Sequence, residues 1–87
     1  MSSRRRGSRS HWPKLYEELR AKLIAARKAS GLTQEEAAVR LGRSQGYVAK
    51  SETGERRVDV IELAQFAAVY NKSVSSFLPK RLIKANK

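Results

Sequence analysis

Only Gly42, Arg43 and Ser44 separate two short stretches that read as helix, and a connection that brief forces the two helices to cross steeply rather than lie side by side. The start of the first is marked by Thr33 and, three residues later, Glu36, a spacing that lets the hydroxyl satisfy a free amide while the glutamate reaches back. Ser44 can cap the second, which runs from Gln45 to about Glu52 before Gly54 closes it. Three steric demands of a steep crossing are met together. Ala38 lacks bulk where the second helix must approach, Gly42 supplies the turn, and Val48 returns to the core.

The flanking sequence supplies the rest of an all-α domain. Leu15, Leu19, Leu23 and Ala26 recur at spacings of four, four and three, which predicts one apolar face on a helix from Pro13 to about Ala29. Asp59 caps a further helix whose Val60, Leu63, Phe66, Ala67 and Tyr70 are expected to form a buried stripe, ended by Asn71. Ser73 opens a short fifth helix expected to bury Val74, Phe77 and Leu78. No alternating strand pattern occurs.

A chain of 87 residues has room for one modest core. Its net charge of +11 points to a polyanionic partner, but the segment 13–78 holds 11 basic and 8 acidic residues, a balance of only +3. The charge therefore belongs chiefly to the ends. Residues 1–12 read as a disordered arm with Arg4, Arg5, Arg6 and Arg9, and residues 79–87 as a basic tail. Cysteine is absent, which excludes disulfides and thiolate metal sites. No apolar run approaches the roughly 20 residues of a spanning helix, so no membrane association is expected, and the chain reads as cytoplasmic. An enzyme is not expected: His11, the only histidine, lies in the arm, and no acid, base and nucleophile cluster together. No metal or cofactor is expected either.

The run Gly31-Leu32-Thr33-Gln34-Glu35-Glu36, with Leu41-Gly42, Ser44-Gln45 and Glu52-Thr53-Gly54, resembles the lambda repressor and Cro class of helix-turn-helix domains, often called XRE-like, over roughly residues 15–78. The resemblance implies a compact five-helix fold of bacterial or phage type that binds double-stranded DNA on the nucleoid. Ala37 and Ser51 stand where the class usually has larger apolar residues, so looser packing between the crossing helices is expected.

At 100 degrees per residue, Gln45, Gly46, Ala49, Lys50 and Thr53 share an arc of about 140 degrees on the second crossing helix. Gln45 suits an adenine edge, Lys50 a guanine, Ala49 a thymine methyl, and Gly46 lets the backbone approach closely. An ordinary solvated face is the plain alternative. The resemblance implies that Gln45, Gly46 and Lys50 approach bases and that Gln34 contacts a phosphate. Arg43, Ser44, Tyr47, Arg56 and Arg57 bracket the same helix and are expected at phosphates. The resemblance also implies an ion pair between Arg27 and Glu52 that orients the helix rather than touching DNA. A repressor acting as a homodimer on a palindrome is expected, with Phe77, Leu78, Leu82 and Ile83 at the interface and half-sites about 34 Å apart. The alternative is an antitoxin that binds a toxin and its own promoter. The arginine-rich arm is expected to reach a minor groove.

Overall fold

The computed structural model describes residues 12–80 as four α-helices and one turn of 3-10 helix: α1 (Trp12–Ala29), α2 (Gln34–Leu41), α3 (Gln45–Thr53), α4 (Val60–Val69) and the 3-10 turn Val74–Phe77. No strand occurs among the described residues. Residues 1–11 of the expected arm and 81–87 of the expected tail lie outside them, with Leu82 and Ile83.

Local chemistry sets the helix ends where the sequence places them. Glu36 N–H donates to Thr33 Oγ1 at 3.0 Å, and Thr33 N–H donates to Glu36 Oε1 at 2.9 Å, completing the reciprocal cap of α2. Ser44 Oγ accepts from the Tyr47 amide at 3.2 Å at the head of α3. Between these helices the chain must reverse sharply, and Gly42 does so at φ +71°, where a side chain would be strained. A second reciprocal cap joins Asp59 and Glu62 at the head of α4, with bonds of 2.8 and 3.1 Å. Asn71 ends that helix at φ +58°.

The core gathers Leu23 and Ala26 of α1, Ala37 and Ala38 of α2, Val48 of α3, Leu63, Phe66 and Ala67 of α4, then Tyr70 and Phe77. Ala38 and Val48 are both buried, so the close crossing expected of α2 and α3 is realised. Two sequence expectations need correction. Val60 is 69% exposed, because the buried stripe of α4 begins only at Leu63. The fifth helix is a single 3-10 turn without a side-chain cap, Ser73 Oγ pairing instead with Ser75 Oγ at 3.2 Å. Phe77 nevertheless fills the core, at 1% exposure, so it is not available to an interface.

Ala37 and Ser51 behave differently. Ala37 is fully enclosed, whereas beside Ser51 a half-open cleft of about 430 Å³ separates α1 from the end of α3, lined by Leu19, Leu23, Ser51 and Val58 among others. The buried Ser51 hydroxyl is itself satisfied: it donates to Tyr47 O at 2.7 Å and accepts from Arg56 Nη1 at 3.2 Å.

One ion pair ties α1 to α3. Arg27 Nε donates to Glu52 Oε2 at 2.7 Å and Nη2 to Oε1 at 3.2 Å, while Nη1 donates to Leu32 O at 2.9 Å. The side chains are only 11% and 4% exposed, so this is a bidentate, largely desolvated pair whose guanidinium also braces the turn before α2. The hydrogen bond to Glu52 raises the Arg27 pKa, so the cation persists at any ordinary pH. Near the pair, the Tyr70 hydroxyl is buried without a hydrogen-bond partner. Burial first, and the Glu52 charge second, push its pKa from the usual 10.0 up to about 12.

Glu52→Ala should destabilise the fold by about 3 kcal/mol in chemical denaturation, because it strands the Arg27 charge, whereas Arg27→Met combined with Glu52→Leu should lose much less. A single substitution costing under about 1 kcal/mol would show that the pair is not effectively buried. Tyr70 gives a pH test. Its folded pKa lies above its unfolded one, so its contribution is complete below pH 10.0 and is lost as pH rises toward about 12. Tyr70→Phe should therefore remove part of the alkaline fall in stability without weakening the fold at pH 7, as thermal melts across that range would show.

Candidate nucleic-acid interface

The face of α3 turned from the core carries the residues that the helical arc brings together. Gln45, Lys50 and Thr53 are exposed, Gly46 and Ala49 are half-buried, and Val48 and Ser51 point inward. The Lys50 side chain makes no hydrogen bond or ion pair with a described residue, while its carbonyl accepts from Thr53 Oγ1 at 3.3 Å. Gly46 is informative because the fold does not require its lack of a side chain. A Cβ there would meet only Ser44 Oγ, at an ordinary 3.9 Å, and its φ is not positive. Without a side chain, the first turn of α3 leaves its backbone uncovered at this position.

A chain of side chains connects this face to the interior. Gln34 Nε2 donates to Glu52 Oε1 at 2.9 Å, and Gln45 Nε2 donates to Gln34 Oε1 at 2.7 Å. The carboxylate fixes the sense of the chain: only the Gln34 amide NH₂ can face it, which leaves the Gln34 oxygen to accept from Gln45. The resulting series Arg27–Glu52–Gln34–Gln45 runs from a desolvated guanidinium to an exposed amide. The Gln34 side chain is thus a bridge, and its second Nε2 hydrogen is not used in it. Its backbone amide at the head of α2 is one of the first-turn donors without an intrahelical partner. Glu35 and Glu36 lie in the same turn and oppose a phosphate there, although Glu36 is turned back to Thr33.

The five residues expected at phosphates divide in two. Ser44, Arg43 and Arg57 are exposed. Ser44 Oγ uses one lone pair on the Tyr47 amide and keeps its own hydrogen. Arg43 lies over the Tyr47 ring with Cζ 4.7 Å from its centroid, and Arg57 over Tyr16 at 4.3 Å. Tyr47 and Arg56 are half-buried and make contacts within the fold. The Tyr47 ring stacks on Phe66 at 5.9 Å and 16°, its hydroxyl buried without a partner, because the core side of α3 needs an aromatic to cover Phe66. Arg56 sits 4.2 Å from the same ring and donates to Glu62 Oε2 at 2.7 Å, so its charge is neutralised within the protein.

That second pair has electrostatic consequences of its own. The Arg56 hydrogen bond, then the Asp59 amide, hold the Glu62 carboxyl below the usual carboxylate range, with smaller help from Arg56 and Arg43 charge. Glu62 in turn raises Arg56. The loop after α3 is thereby locked to α4 through a cluster that sequence inspection missed. Asp59 and Glu62 carry the same three-residue spacing as Thr33 and Glu36, so the cap was legible, but the Arg56 contact across the loop was not. Among the described residues, no group of histidine, cysteine and carboxylate side chains is arranged to hold a metal. No described helix is long and apolar enough to cross a membrane.

A family model described as a helix-turn-helix domain matches residues 18–74, from within α1 into the 3-10 turn. Among solved structures, an XRE-family like protein from Pseudomonas syringae pv. tomato str. DC3000 superposes with a TM-score of 0.77 at 38% sequence identity, over 82% of this chain and 87% of that one. No curated protein matches. The fold, the close packing of α2 on α3 and these two matches agree: the chain belongs to the XRE-type helix-turn-helix family of DNA-binding regulators.

Proposed function

We propose that the protein is a transcriptional repressor that binds a palindromic operator as a homodimer, with α3 of each protomer in a major groove. The observation that carries this reading is the α3 surface itself, an exposed face with an unpaired Lys50, an oriented Gln45 and a glycine that the fold does not need.

Base contacts follow from the donors and acceptors left free. Gln45 spends one Nε2 hydrogen on Gln34, which leaves the other hydrogen and Oε1 for adenine N7 and N6, so the internal bond aims the amide without exhausting it. Lys50 is placed to donate to guanine O6 and N7, Ala49 to meet a thymine methyl, and Gly46 to let the helix sink toward the bases. Arg43, Arg57, the Ser44 hydroxyl and the Gln34 amide would hold the flanking phosphates, supplying affinity without sequence information. Repression follows from size: a domain this small blocks a promoter by occupying it, and one short helix reads few base pairs, so a second protomer is needed for a specific site. The four arginines of residues 1–11 enter through charge alone, as an arm along the neighbouring minor groove.

In vitro selection of bound duplexes should return a palindrome, and Gln45→Ala and Lys50→Ala should each relax the preference at a different position within the half-site, by about 1–3 kcal/mol. Gly46→Ala should weaken binding while leaving the protein as stable as before or slightly more so. Variants that lose affinity equally for every sequence would place these side chains at phosphates instead. Removing residues 1–11 should lower affinity and flatten the dependence of log K on log salt by up to roughly 3.6, given four arginines and about 0.9 per phosphate neutralised. An unchanged slope would exclude the arm from the contact.

A further inference from the structure

The outward residues of α4 are Val60, Ile61, Ala64, Gln65 and Ala68, all exposed and all within an arc of about 140 degrees, away from Leu63, Phe66 and Ala67. Val60 and Ile61 are 69% and 66% exposed, and no charged side chain interrupts the face. A helix that is apolar on both sides is built for two partners, and the protomer core supplies one. Other exposed helix surfaces differ: α2 presents Glu35, Glu36 and Arg40, and α3 presents Lys50.

We propose that this face docks a second copy of the chain, α4 against α4, about a two-fold axis passing near Ala64. Charge selects that occupant. The N-cap Asp59 and Lys72, just beyond the C-terminal end, are both exposed. Antiparallel pairing under a two-fold axis sets each Asp59 beside the partner copy's lysine, and each positive helix end beside a negative one. With a net charge of +11 two copies repel through most of their surface, and this uncharged face adds no cation to the contact beyond the Lys72 that each Asp59 meets. Ala64 and Ala68 lack the bulk that would hold the two helices apart.

The docking rests on the homodimer reading above and moves its interface from the 3-10 turn, where Phe77 is committed to the core, to α4. A ten-residue helix is about 15 Å long and buries less than the roughly 1,200 Å² of a standard stable interface. The pairing is therefore weak in free solution and reinforced when one duplex holds both copies, which raises their effective concentration. Because α4 follows α3 after only residues 54–59, the contact also sets the separation of the two reading helices.

The chain has no cysteine, so a single introduced thiol reports the contact directly. On a selected palindromic duplex under mild oxidation, Ala64→Cys should form a disulfide-linked dimer at least about ten-fold faster than Val39→Cys, an 80% exposed site on α2. Equal rates would overturn the proposal. So would an Ala64→Cys thiol shielded from alkylation without dimer formation, which would mean that another part of the chain covers the face. As a second variant, Ala64→Lys should bind a single half-site within about two-fold of the unsubstituted protein and the palindrome at least about ten-fold more weakly, by loss of cooperative docking. Undiminished palindrome affinity would overturn it. Failure of the DNA reading itself would look different: the unsubstituted protein would show no sequence preference on either duplex.

Discussion

The arrangement of this domain depends on a guanidinium and a carboxylate that have almost left water. Arg27 and Glu52 meet through two hydrogen bonds, and the third guanidinium nitrogen holds the Leu32 carbonyl, so one side chain fixes α1, the turn before α2 and the end of α3. Such a pair adds little net stability over apolar packing, because desolvation offsets most of the attraction. What it supplies is direction. An apolar contact would tolerate rotation of α3 about its axis, whereas a bidentate pair holds it at one setting.

That setting is passed outward. Glu52 orients the Gln34 amide, and Gln34 orients Gln45, so an exposed side chain on the outward face of α3 inherits its geometry from the interior. A glutamine free in solvent would sample several rotamers and lose them on binding; one already held by Gln34 has less to lose. On the other side of α3, Tyr47 stacks on Phe66 and carries Arg43 and Arg56 over its ring, with Arg56 joined to Glu62. The helix is thus held near its C-terminal end by charged groups, at its head by the Gln34 amide and in the middle by Val48.

How much of this was legible in the sequence divides along the distance over which each interaction acts. Caps and turns are local, so Thr33, Ser44, Gly42 and Gly54 announce their roles by spacing alone. The outward arc of α3 is equally local, being a matter of helical period. Ion pairing between Arg27 and Glu52, 25 residues apart, was available only because the motif resembles a known class. Contacts without that support escaped: nothing in the sequence pairs Arg56 with Glu62 across the loop or stacks Tyr47 on Phe66. Val60 was misplaced for a related reason. An apolar residue in a helix announces that it seeks a partner, not whether the partner is its own core.

Under the proposed function Gln45, aimed from within the protein, reads an adenine edge. Replacing each adenine of the selected half-site in turn with 7-deazaadenine, which removes one acceptor and leaves base pairing intact, would show this in the measured affinity. At one position the unsubstituted protein should weaken about five-fold or more while Gln45→Ala is indifferent to the change, since a bidentate contact carries about 1–3 kcal/mol. Uniform tolerance of the substitution, or a penalty that Gln45→Ala shares, would contradict it.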